Sequence, residues 1–193
     1  MNSLLDLNFT TIRDFSITIG KIEAGWMEIT LSNPNRTFTY EASYLTDPLN
    51  GLLDVMLAIM ENPLSYTQNN VLSENTRILV HDLETDFVVW LFNYTNETLR
   101  VAIWLNIDFD LLDDFRYFEF NEQTYREHTF EDPPNLTENL LFALEGSHVS
   151  FLKTLKQVFE NLDKTYVGKE FEGKWGYSYN KKQFHKLMNF LYD

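Results

Sequence analysis

Hydrophobic positions change period along this chain, and the change divides it in two. Up to about residue 120 the apolar side chains recur mostly at every second position, and afterwards at helical spacing. Phe15, Ile17 and Ile19 alternate with Ser16 and Thr18. Gly20 to Gly25 can turn, and Met27, Ile29 and Leu31 then alternate with Glu28 and Thr30, which predicts a hairpin. Ser32-Asn33-Pro34-Asn35 is turn chemistry, and Phe38, Tyr40 and Ala42 continue the alternation in a third strand. Residues 1–12 show no period and stay unassigned.

A helix over about 48–61 follows directly. Asp47 can accept from the free N–H groups of the first turn, Pro48 stands where a missing N–H costs nothing, and Asn62-Pro63 ends the segment. On a helical projection Asn50, Asp54, Ala58 and Glu61 share one narrow stripe, while eight large apolar side chains from Leu49 to Met60 cover the rest of the circumference. Such a helix requires cover on more than one side, most simply a sheet on one and helices on the other.

Residues 62–73 read as a polar connection. Arg77 to Val80 start a short strand, and Phe87 to Phe92 is an unbroken apolar run of β-formers, as in a central strand. After a turn at Asn93 to Glu97, the residues from Leu99 to Ile107 give the clearest alternation in the chain. Phe115 to Phe120 suggests a further strand, and Asp132-Pro133-Pro134 breaks regular structure. Asn135 and Glu138 have capping-box spacing ahead of Leu140 to Leu144, predicting a short helix stopped at Gly146. Phe151, Leu152, Leu155, Val158, Phe159 and Leu162 form an i, i+3, i+4, i+7 stripe, and Asn180 with Gln183 caps a last amphipathic helix through Phe184, Leu187, Met188 and Leu191. The expectation is an α+β fold in a single domain, 1–193: antiparallel meander sheet with a buried central helix over 1–132, and a helical segment over 133–193.

Composition narrows the function classes. The chain has 193 residues and no cysteine, and it shows neither a basic segment followed by an apolar one nor an apolar run long enough to span a bilayer. A cytosolic, reducing setting is the expectation. Five Asn-x-Thr sequons, at Asn8, Asn35, Asn93, Asn96 and Asn135, are then chance products of an Asn- and Thr-rich chain. The net charge of -14 is uneven: residues 1–146 carry 24 acids against 7 bases, residues 147–193 carry 5 acids against 8 bases. That field repels phosphate backbones and anionic membranes, so a basic protein is the easier partner to accommodate.

The order of meander, Ala42 to Leu53, and strand pair resembles a loose group of uncharacterised bacterial cytosolic proteins. That group carries a Ser-Tyr-x-x-Asp-x-Leu segment leading into a helix, here Ser43 to Leu49, and later a Glu-Pro-Gly segment with a Trp six residues after its Glu, here Glu84 and Trp90. Thr85 and Asp86 replace the Pro and Gly, and Gly51 replaces an acidic position. The likeness covers about half the chain. It implies a shared fold and no agreed activity, although small proteins of this kind are suspected toxin-immunity partners.

Candidate chemistry is sparse. Asp108, Asp110, Asp113 and Asp114 could converge on a divalent cation, but the run lacks the glycine turn and closing Glu of a calcium loop, so the reading is a solvated acidic loop with no metal. With Glu119 and Glu122 these residues belong to the densest acidic stretch, 106–132, and mark a partner-binding surface. His81, Asp82, Glu84 and Asp86 could pair a base with carboxylates, yet alternation sends His81 and Asp82 to opposite faces, and polar residues at an exposed strand end account for them. No zinc spacing, nucleophile elbow, phosphate loop or dinucleotide fingerprint occurs. Within 166–179, Trp175 and Tyr177 are either aromatic anchors for a partner or part of a segment that seals the core. In the turn before the central helix, Ser43 and Tyr44 are read as satisfying buried backbone groups. The functional expectation is a binding protein with no catalytic residue and no cofactor, an immunity-type inhibitor of a basic partner such as a toxin. The alternatives are a homo-oligomeric structural domain, such as a homodimer, and a divalent-metal-dependent hydrolase built on Asp108 to Asp114.

Overall fold

The computed structural model describes residues 7–61, 76–95, 97–106, 137–166, 170–176 and 178–192. A two-residue strand β1 (Thr10–Thr11) and one 3-10 turn (Ile12–Asp14) precede the first meander, which is β2 (Ser16–Glu23), β3 (Trp26–Asn33) and β4 (Arg36–Ser43) in antiparallel register. Strand β2 runs through Gly20 with an irregularity between Ile19 and Ile22, so the turn is confined to Ala24 and Gly25, at φ 51 and 83. Two left-handed residues match the twist of a tight hairpin. At the next corner the Asn33 side chain accepts from the backbone N–H groups of Asn35 (3.0 Å) and Arg36 (2.9 Å).

Helix α1 (Pro48–Glu61) has the predicted bounds and cap: the Asp47 carboxylate accepts from the Asn50 N–H at 3.2 Å and the Asp47 carbonyl from the Gly51 N–H at 2.8 Å. Removing the carboxylate in Asp47→Ala is expected to cost about 0.5–2 kcal/mol, read as a shift of the denaturation midpoint at unchanged slope.

A second sheet follows from β5 (Thr76–Asp82), β6 (Phe87–Thr95), β7 (Thr98–Leu105) and β8 (Leu140–Ser147), in the order β1-β8-β7-β6-β5. Among the described strands only the β1–β8 pair is parallel. The uninterrupted apolar run of β6 has a plain cause, because both faces of this sheet are buried. Val88, Trp90, Phe92 and Tyr94 join the main core, while Val89 and Leu91 join a smaller cluster on the opposite face with Ala102, Trp104 and Ala143. The same fact overturns one expectation. Leu140 to Leu144 is not a helix but the body of β8, paired with β7 from Trp104 to Thr98. A five-residue apolar run is read equally well by helix and buried strand, and here the unpaired edge of β7 decided the matter.

Three helices close the described chain: α2 (His148–Thr165), capped by the Ser147 hydroxyl; α3 (Glu170–Trp175); and α4 (Lys181–Asn189), capped by Asn180 accepting from the Gln183 N–H at 3.1 Å. Helix α3 falls inside the 166–179 segment, for which the sequence shows no helical period. The main core draws side chains from both sheets and all four helices, so the fold is α+β as expected. Helix α1 packs against β5 and α4. Its polar stripe is met by pairing: Asn50 accepts from the Asn180 N–H at 2.7 Å, Asp54 from Gln183 at 2.5 Å, and Glu61 bonds Lys186. The stripe itself stays at the surface, since Asp54 and Glu61 are exposed, and its polar groups pair there with the start of α4. Among the described residues no helix is long and apolar enough to cross a membrane.

Candidate functional site

Most of the surface singled out by the sequence lies outside the described residues: Asp108, Asp110, Asp113, Asp114, Glu119, Glu122 and Tyr177. The possible strand over Phe115 to Phe120 and the Asp132-Pro133-Pro134 break lie outside them too, as do the 62–73 connection and His128. Trp175 is described, and its ring is 2% exposed. An anchor must be reachable by its partner, so Trp175 is corrected from anchor to core residue. Phe171 and Tyr179 are buried with it, and Tyr179 packs edge or tilted against Phe159, Phe171 and Phe184. For these residues the segment seals the core, as one of its two readings required.

His81 departs furthest from expectation. It was read as a polar residue at an exposed strand end, and it is 0% exposed. Alternation in β5 explains this, since His81 is in phase with Leu79 on the main-core face and Ile78 and Val80 face the opposite cluster. Its Nδ1 lies 2.6 Å from the hydroxyl of Tyr40, on the last half of β4. The pair therefore bridges the two sheets. The rings of Tyr40 and Trp90 flank the imidazole, with centroids 5.8 and 5.6 Å away.

Burial without a carboxylate neighbour disfavours the charged imidazole and pushes the His81 pKa down to about 3. Burial likewise raises Tyr40 above the ordinary phenol range, against a smaller opposing influence from the Trp90 indole N–H. Both groups are neutral at physiological pH. The Tyr40 O–H donates to Nδ1 in one imidazole tautomer and Nδ1–H donates to the Tyr40 oxygen in the other. No hydrogen-bond partner meets Nε2 among the described residues.

The base-with-carboxylates idea does not survive this geometry. Asp82 accepts from the Glu84 N–H at 2.5 Å, and Asp86 accepts from Thr85 at 3.3 Å and bonds Asn106, so these carboxylates organise the β5–β6 turn and leave His81 unoriented by any of them. His148 is a separate case: partly buried, 3.2 Å from the Tyr94 hydroxyl, its pKa is lowered by burial and pulled back by Glu97. Among the described residues no group of three or more His, Asp or Glu side chains is placed to hold a metal ion.

Two surface features remain. One is a shallow groove of about 690 Å³ where the start of α4 meets α1, lined by Asn50, Asp54 and residues 178–183. Its polar groups already bond one another through the Asn50–Asn180 and Asp54–Gln183 contacts, and Lys181 is drawn to Asp163 at 2.9 Å. The other is the turn between β4 and α1. There Tyr44 and Leu45 are 47% and 60% exposed on a tightly held backbone: the buried Ser43 hydroxyl accepts from the Leu45 N–H at 3.2 Å, and the Thr46 hydroxyl accepts from the Asp82 N–H at 3.0 Å. Ser43 thus satisfies local backbone, as expected, whereas Tyr44 is presented outward. Alternation ends at β4, so the sequence carried no signal for which way these two side chains point.

No protein-family model matches the chain, and neither does any curated protein or any solved structure.

Proposed function

We propose that this chain is a small acidic protein-binding domain without catalytic residues of its own, an immunity-type inhibitor of a basic partner, working in a cytosolic setting. The observation that supports this reading is the fate of the positive charge. The C-terminal helical segment holds 8 of the 15 basic side chains, and four of those engage carboxylates: Lys156 with Glu160, Lys174 with Glu170, Lys181 with Asp163 and Lys186 with Glu61. Pairing of this kind adds little stability at an exposed surface, but it sets a carboxylate beside four of the eight cations and so weakens, locally, a patch that would compete with the acidic remainder of the chain. The net field then attracts cationic protein surfaces and repels nucleic acid and anionic lipid.

Affinity capture with the full chain from its source cell, followed by sedimentation of the product, tests this. The expected result is a discrete complex with a protein of net positive charge. Neutralising Asp113, Asp114 and Glu122 to their amides is expected to slow formation of that complex, with a smaller effect on its dissociation. Recovery of this chain alone, as a homodimer indifferent to salt, would move the assignment to an oligomerising domain.

A further inference from the structure

Resting on the protein-binding reading, we infer that the turn Ser43–Asp47 is the docking element, and that Leu45 and Tyr44 enter an apolar pocket on a basic partner whose rim carries Lys or Arg. Exposed apolar side chains on a free loop would signify little. These two sit on a backbone fixed by the Ser43 and Thr46 hydroxyls, and the Tyr44 ring lies over Gly25, where even a Cβ would approach it to 2.8 Å. Gly25 at φ 83 therefore serves the hairpin and also leaves the ring its seat. A half-exposed aromatic held in one position loses little entropy on binding, which is the property of an anchor.

The surroundings choose the partner's charge. The Thr46–Asp82 bond sets this turn beside the β5–β6 turn, and the segments Glu41 to Asp47 and Asp82 to Asp86 contain five carboxylates and no Lys or Arg. Glu84, at the tip of the second turn, is exposed. Two cations lie close by and each is paired with a carboxylate: Lys21 bonds Glu23, and Lys174 bonds Glu170 at 3.1 Å. An apolar tip beside an acidic turn complements an apolar pocket beside basic side chains.

The test passes lysate of the source cell over columns of immobilised full chain: unmodified, Leu45→Asp, and Tyr192→Ser. Tyr192, 76% exposed at the other end of the chain, controls for loss of an exposed aromatic. Equal melting temperatures establish that Leu45→Asp leaves the fold intact. The expected result is a basic protein held by the unmodified and Tyr192→Ser columns, released by salt, and held at least about tenfold less by Leu45→Asp. Equal retention by Leu45→Asp would overturn the docking assignment and leave the protein-binding reading standing. Absence of any basic protein on the unmodified column would overturn both. A dimer of this chain that Leu45→Asp dissociates would make the turn a self-association site and overturn the proposed occupant.

Discussion

Leu53→Ala is expected to cost about 2–5 kcal/mol of folding stability, enough to leave a domain of ordinary stability close to unfolding. Leu53 is fully buried near the middle of α1, one turn from Leu49, Met56 and Leu57, which are buried as well. Truncation removes a transferable apolar surface and leaves a cavity that neighbours on β5, α4 and the helix itself cannot fill without moving. Urea denaturation followed by circular dichroism measures it directly. A loss below about half a kcal/mol would mean that α1 is peripheral, contrary to its place between a sheet and a helix.

The second large effect is a loss of stability in mild acid from His81. Its folded pKa is depressed to about 3 from an ordinary value near 6.5, so between those two values the unfolded chain binds a proton that the folded chain refuses. Stability from this group is therefore complete above about pH 6.5, falls as the pH drops towards 3, and changes no further below it. By pH 5 the loss amounts to about 2 kcal/mol. The comparison that isolates it is the double variant Tyr40→Phe, His81→Phe, which replaces both partners of the buried hydrogen bond by apolar rings of similar shape. The carboxylates titrate in both proteins. The expected outcome is that the unmodified chain loses about 2 kcal/mol more than the double variant between pH 7.5 and pH 5. Parallel pH profiles would show that His81 is solvated.

How much of this was legible in the sequence depended on whether one face or two were buried. Helix α1 was readable in full because Asp47 and Pro48 mark its start and its narrow polar stripe marks the one side needing partners. Those partners, Asn180 and Gln183, were legible only as a cap; their second role, facing Asn50 and Asp54, is set by packing over a separation of about 130 residues that no local pattern encodes. Strand β8 was misread because Leu140 to Leu144 is buried on both faces of its sheet and has no period to show. The position of His81 is legible in alternation, since its phase with Leu79 predicts an inward side chain, although its residue type points outward. The exposure of Tyr44 and Leu45 is not, since it depends on Gly25 from another hairpin and on the Thr46–Asp82 bond between sheets.

The binding account is tested most directly by the rate at which this chain associates with the basic protein it captures, measured by stopped-flow fluorescence as ionic strength rises from about 50 to 500 mM, a range over which screening shortens from beyond the length of a side chain to well within it. The predicted result is an association rate that falls steeply while the dissociation rate changes little, because the acidic surface acts on the encounter. An association rate that ignores salt would contradict it.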